Sequence, residues 1–410
     1  MDDNTATIFV DLFGLALDVD WPTEGDELLH HMWLALDSRV PMTGHNYRLH
    51  QPTESEPHVY HRYKPTSDVL TSELALVPLP GGKMHAFVGV TSADQIPSQV
   101  QPWADAITEA KGLLNTEHPE HHWFAMVGST SGRGRGAQFL TGGGAVGGMT
   151  MYPATSVYLD AEDRRSYPTL SGFTYDVSYP IVVEGYSRGY DWSTASETAA
   201  TSLTKLCGLL SLAFGTCWRL RQAPDWRDEP ISHPRSRFGP EVFPDSDDNY
   251  AREDVSFPGW ADKAWTTLES QPSLAVALHA YHQGLDLMEA FPSYALLAFV
   301  GAIEGIGAMS EPLRRCECCA DCSQKIGASK RFRDALRRVL PDADTKQLSA
   351  VYSYRSKTAH EGHLHGDELG RGTWGGARVF APTPAGDMFR HQTVWKMRNA
   401  CQRLLLSHLA

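Results

Sequence analysis

Apolar residues follow two different rhythms along the chain. Over 24–40, Leu28, Leu29, Met32, Trp33 and Leu36 recur at helical spacing after a Pro-Thr-Glu-Gly start, which predicts an amphipathic helix. Segments 73–79 and 83–90 are apolar runs separated by Pro80-Gly81-Gly82, a hairpin pattern. A short amphipathic helix is expected over 103–115, and 175–186 reads as a strand that Pro180 assigns to an edge or a bulge. Segment 196–214 carries Leu203, Leu206, Leu210 and Leu212 near one helical face, and 217–221 reads as a returning strand. From about Ala264 onward the rhythm is helical only. Helices are expected over 273–291 and 294–309, joined at Pro292, whose fixed φ and missing N–H suit a helix start. A basic helix over 330–340 closes at Pro341, 344–360 follows with Leu348, Val351, Tyr352 and Ala359 as core positions, and 389–409 is last. Short connections between helices indicate a bundle.

The pattern predicts a multi-domain protein: an α+β N-terminal region over 1–226, a linker or strap rich in Pro and Asp over 227–262, and an all-α domain over 263–410. No internal repeat is visible. Between the expected elements, 128–149 holds nine glycines. Backbone amides there could cradle phosphate. A phosphate loop of the Walker type needs a Gly-Lys-Ser/Thr end, and this stretch has no lysine, so a mobile loop is the better expectation.

Composition narrows the class. The chain has 410 residues, 42% hydrophobic and 21% charged, enough to build real cores. A net charge of −13 argues against a protein that coats nucleic acid over its whole surface. Charge is uneven: residues 1–262 carry 18 Lys and Arg against 35 Asp and Glu, a net of −17, whereas 263–410 carry 18 against 14, a net of +4. An anionic partner is therefore expected on the C-terminal third. The apolar runs 206–218 and 295–309 fall short of a membrane span, and the second contains Glu304. The Met1-Asp2-Asp3 start lacks the basic residues of a secretory signal, and a cytoplasmic location without membrane association is expected.

The most specific local feature is Tyr354-Arg355-Ser356-Lys357-Thr358-Ala359-His360-Glu361-Gly362. Arg355 and His360 are five apart, about 140° around a straight helix, so they do not share one face. Gly362 suits the left-handed residue that ends a helix, which puts His360 in the last turn. An arginine fork holds phosphate, and a histidine moves protons. Together they suffice for RNA cleavage without a metal, because the ribose 2′-OH supplies the nucleophile. The spacing alone is common by chance. Three segments in order give it context: Ala295–Glu304, an apolar helix ending in a Glu; Lys325–Phe332, a basic helix entry; and Val351-Tyr352-Ser353-Tyr354-Arg355-Ser356 followed by His360-Glu361-Gly362.

In these three segments the C-terminal third resembles the HEPN domain, particularly the Apea-like branch. The resemblance covers about 273–410 and implies an all-α helical bundle that forms a homodimer through the HEPN domain, with paired Arg–His motifs at the interface. It implies a metal-independent endoribonuclease, often of a defence or toxin system. Carried over residue by residue, Arg355 and His360 take the catalytic positions, and Ser356 takes the polar position after the arginine, where many active members have Asn, His or Asp. Glu361 between the His and the Gly is a second departure. The alternative is a non-catalytic HEPN module that dimerises or binds a nucleotide. The expected partner is RNA, with an unknown trigger for the N-terminal region.

No cofactor is expected for catalysis. Cys316, Cys318, Cys319 and Cys322 include two overlapping C-x-x-C spacings, and Cys316, Cys319 and Cys322 are candidate ligands of a structural zinc, with a further ligand from His363 or His365. The other reading is a reduced thiol cluster in a loop. His30, His31 and the 117–122 run, which holds His118, His121 and His122, are expected on the surface. The basic residues Arg314, Arg315, Lys325, Lys330, Arg331, Arg333, Arg337 and Arg338 read by themselves as a solvated face, and beside an Arg–His site as a backbone track for RNA.

Overall fold

A computed structural model describes residues 7–12, 17–50, 60–114, 116–129, 137–153, 157–159, 167–169, 172–174, 177–226, 241–242, 252–288, 291–310, 314–315, 325–365 and 388–410. The chain forms two compact units, Met1–His118 and Pro119–Ala410.

The first unit contains β1 (Ile8–Asp11), α1 (Trp21–Asp37), β2 (His45–His50), β3 (Tyr60–Pro65), β4 (Glu73–Pro78), β5 (Met84–Val90) and α2 (Ile96–Leu113). The strands make one antiparallel sheet in the order β1-β5-β4-β3-β2. Alternation decides its buried face. Leu74, Leu76, Met84, Ala86, Val88 and Val90 share a core with Leu28, Met32 and Leu36 of α1 and with Trp103 and Ile107 of α2. The β4–β5 hairpin turns through Gly81 and Gly82, both at positive φ (84° and 79°). Helix α1 starts at Trp21, earlier than the periodicity indicates, because Pro22 fits its first turn.

The second unit is built on a five-stranded antiparallel sheet in the order Trp218–Trp226, Glu120–Ser129, Ile181–Arg188, Met149–Pro153, Gly144–Val146. Helix α3 (Trp192–Phe214) lies on one face. The Asp191 carboxylate caps it by accepting from the Thr194 N–H at 2.8 Å, and Gly215 ends it at φ 67°. The expected edge strand is Ile181–Arg188 at the centre of the sheet, and Pro180 escapes the ladder by preceding it.

The described part of the glycine-rich stretch also differs from a loop. It pairs Gly144–Val146 with Met149–Pro153 through a turn in which Gly147 and Gly148 both have positive φ (55° and 77°). A Cβ on Gly147 would overlap the Trp265 indole. Glycine here serves a tight turn and close packing; residues 130–136 lie outside the described residues.

The helices that follow are α4 (Ala261–Ser270), α5 (Pro272–Leu287), α6 (Pro292–Ser310), α7 (Ala328–Arg337), α8 (Asp342–Ala350) and α9 (Tyr352–Glu361). A π-helical turn, Phe389–Val394, leads into the last helix, Trp395–Leu409. The single helix expected over 344–360 is thus two, interrupted at Val351. In the second of them Thr358 is buried, where Ala359 was the expected core position.

The N-terminal part of the chain is therefore mixed α/β, and its C-terminal part is mostly helical, with one short antiparallel ladder of Arg314–Arg315 against Lys325–Ile326 where an all-α domain was expected. Their boundary is not the expected one. One core runs from Trp123, Val127 and Val183 of the sheet, through Leu203, Leu206 and Leu210 of α3, to Leu278, Tyr281, Phe299 and Leu404. Polar ties reinforce it. His282 Nε2–H donates to the Trp218 carbonyl at 2.6 Å, and Gln402 donates to the Leu212 carbonyl at 2.7 Å. The Arg398 guanidinium donates to the Gly215 carbonyl. The strand-rich part after residue 118 and the helices after 260 are physically one unit. Most of the expected strap, 227–262, lies outside the described residues, but its described end is not a strap: Arg252–Val255 is a strand paired in parallel with Ala137–Leu140, and α4 begins at Ala261.

Among the described residues, one helical stretch, Pro292–Met309, has the length and hydropathy of a membrane span, more than the run length indicated. It packs into this core through Leu296, Phe299, Val300, Ile303 and Ile306.

Candidate functional site

Arg355, Ser356 and His360 all lie on α9. The helix closes as its sequence indicates: Gly362 adopts φ 65° and its N–H bonds to the Lys357 carbonyl. His360 sits in the last turn and is exposed, while Arg355 and Ser356 are half-buried. The chain after the cap is folded back, since the Thr358 hydroxyl donates to the His363 carbonyl at 2.9 Å. His365 stacks on Tyr354 with ring centroids 4.4 Å apart, and its backbone N–H donates to the Ser293 hydroxyl at 2.8 Å.

Arg355 is held by α6. Its Nη2 lies 3.2 Å from Glu304 Oε2, and the Tyr352 hydroxyl donates to Glu304 Oε1. Burial, followed by the hydrogen bond to this carboxylate, raises the Tyr352 phenol above its usual value. Glu304 thus spans two residues of α9 that are three apart, on neighbouring positions of one helical face. The Arg355 Nε is buried without a hydrogen bond. The arginine is anchored by one edge of its fork, and five N–H donors give it capacity for a second acceptor.

The basic helix α7 adjoins the same cluster. Its Phe332 ring lies 5.2 Å from the Tyr352 ring. Gly307 of α6 permits the approach, because a Cβ there would sit 3.0 Å from the Arg331 carbonyl oxygen. Lys330, Arg333, Arg337 and Arg338 remain exposed, with Arg337 ion-paired to Asp334 at 2.9 Å.

The structure therefore places the three sequence-predicted residues on one helix and adds an anchor whose pairing the sequence does not reveal. Cys316, Cys319 and Cys322, the candidate zinc ligands, lie outside the described residues, as does Cys318. Among the described residues no group of three or more His, Cys, Asp or Glu side chains is arranged to hold a metal. Cys207, Cys217 and Cys401 are buried free thiols, and burial raises each of them, Cys217 to about 11, which makes them poor nucleophiles at neutral pH.

Two histidine clusters expected on the surface are partly internal. His122 is buried, with Nε2 2.6 Å from Oε1 of buried Glu184, two adjacent strands supplying the pair. Glu27, also buried, faces His118 at 2.9 Å and His31 at 3.6 Å. The signal available for His122 was the unbroken apolar run Trp123–Val127 beside it, the mark of a strand buried on both faces.

Compared with known protein families, curated proteins and solved structures, the chain shows no significant match.

Proposed function

We propose that the protein is a metal-independent endoribonuclease of HEPN type, acting in a defence or toxin role and leaving 2′,3′-cyclic phosphate and 5′-hydroxyl ends. The observation that carries this reading is the anchoring of Arg355: Glu304 grips one edge of a half-buried guanidinium on a helix whose last turn exposes His360. A fixed fork suits the charge that develops on a phosphorane. An exposed imidazole suits proton transfer to the leaving 5′-oxygen. The 2′-oxygen attacks phosphorus in line as its proton passes to solvent, the P–O5′ bond breaks, and protonated His360 gives its proton to the departing 5′-oxygen, so no step requires a metal; Ser356 contributes a polar neighbour. The exposed cations of α7 supply a track for the RNA backbone. The resemblance supports a homodimer that pairs two such sites.

The same ion pair favours one other reading. A guanidinium already paired with a carboxylate also fits a non-catalytic HEPN module in which α6 and α9 are merely pinned together. The experiment that separates them incubates the purified full-length protein with mixed RNAs in EDTA. Cleavage that is lost in Arg355→Ala and in His360→Ala, with circular dichroism unchanged, supports the nuclease. Cleavage undiminished in either variant, or absent from the wild type, leaves the non-catalytic module.

A further inference from the structure

The first unit carries an aromatic corner that the nuclease reading does not use. On α1, Trp21 and Trp33 flank the helix face that looks onto β2 and β3. On the sheet, His45 and Tyr47 of β2 and His61 and Tyr63 of β3 answer them. Trp33 stacks on His45 at 4.2 Å and lies 6.4 Å from Tyr63. Tyr47 lies 5.3 Å from Tyr63 and 5.9 Å from His61, with its hydroxyl 3.0 Å from His61 Nδ1. Trp21 closes the row 6.4 Å from His61. β2 is an outer strand of its sheet. The corner is consequently open: Tyr47 is 51% exposed and Leu49 44%.

Of the six rings Tyr63 is buried, Trp21, Trp33 and His61 are half-buried, and His45 and Tyr47 are exposed beside Leu49, so the open part of the corner is a small apolar patch of the kind that marks binding surfaces. Charge says what would bind. Residues 1–118 carry 6 Lys and Arg against 17 Asp and Glu, a net of −11. Asp26 of α1 is exposed and close enough to Tyr63 to help raise its phenol, which burial first and then Tyr47 and Asp26 push up to about 12. Burial lowers His61, so its ring is neutral at neutral pH and does not repel a cation. The cations of these strands point elsewhere: Arg48 and Arg62 pair with each other in register on the opposite parity, and Arg62 is bonded to Glu73. Aromatic faces beside a carboxylate attract lysine and arginine through the ring quadrupole and charge together.

We infer that this corner is a docking site for a basic peptide, with a lysine or arginine side chain seated among Trp21, Tyr47 and His61 and its charge facing Asp26.

The test titrates full-length protein at 0.15 M salt with a short capped peptide of alternating lysine and glycine, followed by calorimetry. Saturable binding at one peptide per chain is expected. Tyr47→Phe should keep it, since the ring remains. Tyr47→Leu and Asp26→Asn should each weaken it about fivefold or more, the scale of a cation–ring contact. Tetramethylammonium chloride should compete better than sodium chloride at equal ionic strength. Both substituted positions are exposed, and thermal unfolding checks that the variants stay folded. Binding that does not saturate, or that is the same in Tyr47→Leu and Asp26→Asn as in the wild type, overturns the inference and leaves only general attraction to an acidic surface.

Discussion

A cut between residues 262 and 263 should destroy the C-terminal helices, whereas a cut between 118 and 119 should spare them. The reason lies in the shared core. Leu278 of α5 packs on α3 at Gly208, where a Cβ would lie 3.1 Å from Leu278 Cγ. Trp265 of α4 covers Gly147 of the sheet turn, and Tyr281 is wholly buried beside Cys217. A fragment of residues 263–410 uncovers the sides of these three large side chains that face the sheet and α3, although Tyr281 keeps Phe299 and Arg398 as neighbours, so full exposure sets an upper bound. At about 1.5–3 kcal/mol for each fully buried apolar side chain, that bound is roughly 5–9 kcal/mol. The ties from His282, Arg398 and Gln402 to backbone carbonyls of 212–218 go as well. Whole-domain stability is only about 5–15 kcal/mol, so an apolar loss of the same order, with the polar ties gone as well, should leave the fragment unfolded. The assay is urea denaturation of residues 119–410 and of residues 263–410, read by near- and far-ultraviolet circular dichroism. The longer fragment should show one cooperative transition, and the shorter should show none. A cooperative transition with native-like near-ultraviolet signal in residues 263–410 would refute the shared core as a requirement for folding.

Three further outcomes follow from particular contacts. Glu304→Gln should destabilise the protein by about 1–2 kcal/mol: two unit charges at this separation attract by about 5 kcal/mol at an effective dielectric of 20, but partial exposure and desolvation reduce the net to that range. In urea denaturation, a double-mutant cycle of Glu304→Gln with Arg355→Gln should give a coupling of about 1 kcal/mol, and additivity would show the pair to be energetically idle. Gly147→Ala should cost about 2–4 kcal/mol, from a left-handed backbone and an overlap with Trp265; a midpoint shift below about 1 kcal/mol in the same assay would contradict the turn. Stability should also fall as pH drops from 7 toward 5. Burial holds His282, like His31 and His61, below the usual imidazole value of 6.5, so the unfolded chain takes up protons first and gains on the folded one. Melting temperatures that stay flat over this interval would show that these side chains do not set the acid limit.

What was legible in the sequence was what depends on neighbours along the chain. Apolar periodicity located α1, α3, α5, α6, α7 and the last helix, though it missed α4 and merged α8 with α9, and Pro80-Gly81-Gly82 marked a hairpin whose glycines do adopt positive φ. Arg355, His360 and the helix-ending Gly362 were readable together, because a cap is a local matter of backbone conformation. Residues distant in sequence decided the rest. Glu304 is 51 positions from Arg355, and only the packing of α6 against α9 makes it an anchor. His122 looked like one of a polar run until Glu184, on the next strand, gave its imidazole a buried partner. The break in composition over 227–262 resembled a domain boundary, yet α3 and α5 bury one another across it. Propensity and capping act within a few residues, whereas burial is settled by whichever surfaces the folded chain brings face to face.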